Sequence, residues 1–356
     1  MKSKVFLVLC AGLLLTGCSS TEKRPNKSLS ASPQESGPTP RIIALDHASE
    51  DRVLALNPEN VTSENVRDVL SNAPAPRIIN IHGGILPIQG YLVSFSQFLA
   101  GMGYPEASIR NPRDGTYTFG YYDSSEMLAG IIAWYYEQEG MRPILVGHSQ
   151  GGFQAVRVLY RLAGYPTREL NVWNPLSGEK EDRMLIFDPL TRTTRPVVGL
   201  KVSYTAATVA GGLARLLPNQ WSMNSRLRYI PDSTEEFTGF QKGLDILGGD
   251  FLGYGAANDY ESTGTAIVRN VRLPSTYGHT AIPDTKHLAM NAATKDWIDN
   301  YRPAITPSEM PFMDPTLDGD SSHILWAAEI WYSVKKHWVM ELQRLIRAER
   351  DLSHGG

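Results

Sequence analysis

Thiols are nearly absent from this chain: its 356 residues hold two cysteines, Cys10 and Cys18, both among the first eighteen positions. From Ser19 onward there is therefore no disulfide, no thiolate zinc site and no cysteine nucleophile. A surplus of one charge is missing too, since 34 basic residues stand against 37 acidic ones for a formal net charge of −3. Nothing in that balance points to a nucleic-acid partner. No apolar run reaches the ~20 residues that a spanning helix needs, and no internal repeat recurs. Asp314, Asp318 and Asp320 around Gly319 lack the spacing of a calcium loop and read as an acidic turn, so neither a metal nor a cofactor is expected.

What is present begins at the N-terminus. Lys2 and Lys4 precede an apolar run over residues 5–15, the layout of a secretory signal. The run ends in Leu15-Thr16-Gly17-Cys18, which resembles the lipobox of bacterial lipoproteins. That resemblance implies removal of residues 1–17 and lipidation of Cys18 as the first mature residue. Acyl chains there would anchor the protein at the cell envelope, and Ser19 at the following position suits the outer membrane of a Gram-negative cell. Residues 18–40 are rich in Ser, Pro, Asn and Lys without apolar period and read as a flexible tether. Residues 41–356 suffice for one large domain.

Apolar runs alternate with helical patterns through that domain. Strands are expected over 77–81, 143–146, 170–173, 243–247 and 265–273. Helices are expected over 90–100, from Ser124 or Ser125 to Glu139, and over 152–162, 206–217, 285–299 and 324–350. The alternation predicts an α/β domain whose mostly parallel sheet carries helices on both faces.

One short stretch carries chemistry. Pro143-Ile-Leu-Val-Gly-His-Ser-Gln-Gly-Gly-Phe153 sets Ser149 between Gly147 and Gly151 where a strand pattern gives way to a helical one. A serine hydroxyl attacks only when a base can reach it, and glycines on either side allow that approach. Such a Gly-X-Ser-X-Gly between strand and helix is the form of a nucleophile elbow. Upstream, His82-Gly83-Gly84 follows another strand pattern.

With both motifs the chain resembles the serine esterases and lipases of the α/β-hydrolase superfamily, over about residues 76–299. The resemblance implies the α/β-hydrolase fold with Ser149 as nucleophile. It also implies an oxyanion hole from the amides of the Gly83-Gly84 segment and of Gln150. Family chain order places the acid and then the histidine after the serine. His279, in the loop between the last strand pattern and the closing helix, is the preferred base, with His287 as the alternative. Asp250, which ends Gly243-Leu-Asp-Ile-Leu-Gly-Gly-Asp250, is the preferred acid, with Asp259 and Asp245 as runners-up.

Residues 178–236 exceed a simple strand connection and are expected to form a cap. There Leu213, Leu216, Leu217, Trp221 and Met223 either line an acyl pocket or bury against the core. The helix over 324–350, with Trp326, Trp331 and Trp338 among lysines and arginines, is expected to pack on its own domain; resting on a membrane surface is the alternative. The tyrosines over 117–136 read as helix packing rather than a binding platform. Together these features predict a lipid-anchored hydrolase acting on an acyl ester. Acyl transfer by the same triad and a non-catalytic envelope scaffold remain the other readings. Oligomeric state is not legible.

Overall fold

Runs such as Ile78-Ile79-Asn80-Ile81, apolar but for Asn80, and Ile144-Leu145-Val146 show no alternation of apolar and polar residues, which suits a strand covered on both sides. In the computed structural model, which describes residues 45–85, 87–210, 221–249, 259–303 and 320–354, both become fully buried strands. They are β1 (Ile78–His82) and β3 (Ile144–His148) of a six-stranded sheet. The others are β2 (Phe119–Gly120), β4 (Val202–Thr208), β5 (Thr234–Lys242) and β6 (Ile267–Leu273). The order is β6-β5-β4-β3-β1-β2 and every pairing is parallel.

Side chains leave a strand alternately to its two faces, and the core divides accordingly. Ile78, Ile144, Val146, Tyr204, Ala206 and Phe240 join one cluster with α1 (His47–Leu54), α2 (Ser63–Asp68), α3 (Ile88–Gly101), α6 (Ala292–Asn300) and α7 (Ile324–His354). Ile79, Ile81, Leu145, Ala207 and Phe237 join a second with α4 (Ser125–Glu139) and α5 (Gln150–Leu162). The α4 boundaries follow from its ends: the Ser124 hydroxyl accepts from the amides of Glu126 and Met127, and Gly140 stops the helix with φ 68°.

The helix α7 packs on its own domain, and the membrane-surface alternative falls because its three tryptophans are wholly buried. Each indole N–H is satisfied inside: Trp326 donates to Thr208 Oγ1, Trp331 to Asp299 Oδ1 and Trp338 to the Pro74 carbonyl. Charges also join α7 to the β5–β6 edge, where Lys336 and His337 meet Glu236 and Arg269 meets Glu329. Among the described residues no helix is long and apolar enough to cross a membrane.

Several expected elements shift. The stretch 206–217 is not a helix at its start, because Val202–Thr208 is a buried strand paired with β3 and β5. As β4 lies at the sheet centre, residues 178–236 are not one continuous cap; two separate connections flank that strand. Leu213, Leu216 and Leu217 lie outside the described residues, while Met223 is buried in the core and Trp221 is 64% exposed. The strand expected over 243–247 is displaced to β5 just before it, leaving a turn there. Within the expected 170–173 strand, only Trp173 is strand, in a separate antiparallel ribbon of Trp173–Asn174 with Glu179–Lys180. The expected 285–299 helix divides into a 3-10 turn, Lys286–Ala289, and α6.

Close packing at the β3–α5 junction yields a direct expectation. A methyl group on Gly151 would stand 2.0 Å from the Ile81 carbonyl oxygen, a backbone atom that cannot swing aside. Gly151→Ala is therefore expected to lose about 3 kcal/mol of stability or more, read as a lowered urea midpoint.

Candidate active site

Ligand sites in open parallel sheets lie beyond the carboxyl ends of the strands, where the strand order reverses. Here β1 lies between β2 and β3, and four segments leave the carboxyl ends of β1, β3, β5 and β6. One of the four carries Ser149, and the other three bring groups toward it.

The first is Ser149 itself, between β3 and α5, with φ 55° and ψ −128°. That is sparsely populated backbone for a residue with a side chain and costs on the order of 1–3 kcal/mol. Its neighbours hold it there. The Ser149 amide donates to the Thr208 carbonyl of β4 at 2.8 Å, and Thr208 Oγ1 in turn accepts from Trp326. The side chain stands where α5 begins and is buried, 4% exposed.

His279 comes from the loop after β6. Its Nε2 accepts from Ser149 Oγ at 3.1 Å, and its Nδ1 donates to Asp245 Oδ2 at 2.7 Å. The carboxylate on the imidazole is thus Asp245, first of the two runners-up by position and closest behind β5. Its second oxygen accepts the Gly248 amide at 2.9 Å. Burial pushes this carboxyl upward, but the hydrogen bond and charge of His279, the Gly248 amide and Lys242 outweigh it and leave it below its ordinary value. Asp250, the first choice from sequence, lies outside the described residues. Asp259 is exposed, with its main-chain carbonyl bound to Arg228 Nε. His287 sits in the Lys286–Ala289 turn with Asp320 Oδ2 at 3.8 Å and makes no contact with Ser149.

The fourth group is the turn after β1. At Gly83 a Cβ would lie 2.8 Å from Ser149 Cβ, so only glycine lets this turn close on the serine. Gly84 packs against the Gln150 side chain and Tyr121. His82 Nδ1 donates to the Gly83 carbonyl at 2.8 Å. In a trans peptide the N–H points opposite to its C=O, so this bond also fixes the direction of the Gly84 amide. Gln150 is the first residue of α5, whose amide has no intrahelical acceptor. Two such donors beside one hydroxyl can hold a developing oxyanion, each worth about 3 kcal/mol of barrier.

Sequence reasoning passed over two contributors. One is His148, the variable position of the elbow motif. Wholly buried, its Nε2 donates to the main-chain carbonyl of His279 at 2.8 Å, tying β3 to the loop that carries His279. Burial and the neighbouring His279 lower its pKa to about 3, so it stays neutral. The other is the 119–123 segment. A cavity of about 290 Å³ opens beside His82, with Arg113, Asp114, Phe119, Tyr122 and Trp173 in its wall. Of the tyrosines expected to pack, Tyr135 and Tyr136 do, whereas Tyr121 and Tyr122 face this region.

The His148 environment has a pH consequence. Unfolded, the ring takes a proton near its ordinary 6.5; folded, only near about 3. Between those values the unfolded chain binds more protons, so this contribution is intact above 6.5 and declines as pH falls through the window. His148→Gln keeps an amide donor without a titrating ring. It is expected to lose less stability than the wild type between pH 6.5 and about pH 4, by on the order of 3 kcal/mol, measured as urea midpoints at both pH values.

Chemically, a hydroxyl, an imidazole and a carboxylate in sequence, with amides beside the hydroxyl, can deprotonate the serine and stabilise negative charge next to it. A scan against protein-family models finds no match to this chain, and a search of curated proteins finds none either.

Proposed function

We propose that the protein is a serine hydrolase of the α/β-hydrolase type that cleaves carboxylic esters. The observation that carries this reading is the continuous hydrogen-bonded series from Ser149 Oγ through His279 to Asp245, at 3.1 and 2.7 Å. Order along the chain supports it: nucleophile after β3, acid after β5, base after β6, the family's sequence of serine, acid and histidine. The amides of Gly84 and Gln150, which have no main-chain acceptor among the described residues, would supply the place for an oxyanion.

In this reading His279 Nε2 takes the Ser149 proton as Oγ attacks the ester carbonyl, and the tetrahedral oxyanion rests on the two amides. The protonated imidazole then gives that proton to the departing alkoxide, leaving an acyl-serine and a free alcohol. Water enters, loses a proton to His279 and attacks the acyl carbon. Collapse returns the proton to Ser149 Oγ and frees the carboxylic acid. Asp245 holds the imidazole in the tautomer with Nδ1–H and stabilises its charged form.

Two surroundings bear on the substrate. Exposed apolar side chains flank the site, Ile85 beside Gly84 and Leu244 and Ile246 on either side of Asp245. The cavity at His82 is mixed, with charged and aromatic walls. An ester with an apolar acyl part and a polar remainder suits both. Lipidation of Cys18, which the lipobox-like Leu15-Thr16-Gly17-Cys18 supports and which lies outside the described residues, would hold the reaction at the envelope surface. Turnover of p-nitrophenyl esters from acetate to octanoate tests the proposal: saturable hydrolysis with an initial burst of one p-nitrophenol per chain is expected. Absence of turnover across the whole series would refute it.

A further inference from the structure

About two helical turns along α5 from the nucleophile, Arg157 and Arg161 line a second, separate cavity. It measures about 100 Å³, and Ser125, Tyr160, Tyr165 and Met223 complete most of its wall. The two arginines stand at positions i and i+4 of one helix, where like charges face and repel each other. Elsewhere several partly buried arginines meet a carboxylate: Arg77 with Glu139, Arg142 with Glu341, Arg183 with Glu137, Arg269 with Glu329. Arg157 and Arg161 meet none among the described residues. Glu126, next to Ser125 in the chain, pairs with neither. The segment 211–220, just before Trp221 and Ser222, contains no acidic residue and one further arginine, Arg215.

Burial and the adjacent Arg161 together hold the Arg157 guanidinium below its ordinary value, as expected of a cation lacking its counter-charge. A third guanidinium, Arg226, lies over the ring of Tyr165 at 4.2 Å, at the border of the same cavity. The donors are arranged rather than scattered. Arg161 Nε donates to Ser125 Oγ at 3.4 Å, which leaves its two terminal nitrogens and the serine's own hydrogen available. Ser125 is the first residue of α4, a helix of 15 residues, so a helix N-terminus adds partial positive charge to this corner.

We propose that this cavity binds one tetrahedral oxyanion, a phosphate group, between Arg157, Arg161 and the Ser125 hydroxyl. The space equals about three water molecules, room for a single phosphate with the remainder of any larger ligand outside. Planar guanidinium groups bind phosphate oxygens in pairs, and two of them set one turn apart on a helix converge on one anion. The group is either free phosphate or the phosphate of a glycerolipid headgroup; both offer the same oxygens. This site does not depend on the Ser149 chemistry.

Calorimetric titration of the full chain tests it, with inorganic phosphate and glycerol phosphate as probes at ionic strength fixed by chloride. Saturable binding of one phosphate per chain is expected. It should weaken at least tenfold in Arg157→Gln/Arg161→Gln and severalfold in Arg161→Lys, which keeps the charge and loses the paired geometry. Ester turnover in both variants should match the wild type, which shows that the fold survives. Tighter binding of glycerol phosphate than of phosphate identifies a lipid headgroup as the source; the reverse identifies the free ion. No saturable heat with either probe, or equal binding in the double variant, overturns the proposal.

Discussion

Replacing His279 by alanine is expected to lower kcat on a short p-nitrophenyl ester by on the order of 10⁶-fold, while His287→Ala stays within a fewfold of the wild type. The size follows from the shared work of the proposed triad. Without the imidazole, Ser149 Oγ has no acceptor for its proton at 3.1 Å, and the leaving alkoxide has no acid. What remains is the pair of amides at Gly84 and Gln150, which lowers the barrier for attack by water only. KM should move little, because the ring touches the reacting atoms and not the remote parts of the substrate. His287 has Asp320 at 3.8 Å as its nearest carboxylate and no path to the serine, so its loss removes nothing from the reaction. A reversed result would transfer the base to His287.

Asp245→Asn should follow with a loss of about 10⁴-fold in kcat, against little change for Asp259→Asn. An amide at position 245 can present its NH₂ to Nδ1, which forces the proton onto Nε2 and leaves no lone pair for the serine. The packing is otherwise retained, so folding should survive. The charge also matters, since in the proposed mechanism the carboxylate 2.7 Å from Nδ1 stabilises the imidazolium formed during attack. Retention of full activity in Asp245→Asn would remove this carboxylate from the mechanism, and a pH–rate profile of the variant would show whether the remaining activity still depends on the imidazole.

How much of this was readable from the residues depends on how local the constraint is. The turn at Ser149 was legible because its requirements lie within five residues: Gly147 and Gly151 where chains cross, a buried strand before, an amphipathic helix after. His279 was legible from its loop, next to a strand that falls close to where the pattern places it. The carboxylate on His279 was harder to place for a physical reason. The strand before it, β5, contains Glu235, Glu236, Gln241 and Lys242 and does not look buried, yet it is. Its charges are answered from α7 and β6, Glu236 by Lys336, His337 and Arg269, partners far away in sequence. The apolar stretch just after it drew the strand assignment, although Leu244 and Ile246 are 64% and 63% exposed there. Moving the strand earlier brings Asp245, rather than a residue further along, to the start of the turn.

The same distance effect hid β4. Ala206, Ala207 and Thr208 read as the start of a helix, and only their pairing with β3 and β5 makes them strand. His148 escaped notice because its partner, the His279 carbonyl, is 131 residues away. The tryptophans of α7 suggested an interface of either kind, and the choice between core and membrane rested on indole acceptors at Thr208, Asp299 and Pro74 that periodicity does not reveal.

Labelling with a fluorophosphonate probe tests the central claim most directly, since the reagent forms a stable bond only with a serine that a neighbouring base has activated. One probe per chain on the wild type, mapped to the peptide containing Ser149, and no labelling of folded Ser149→Ala is the predicted result. Labelling that persists in Ser149→Ala, or a folded wild type that the probe does not label, would contradict it.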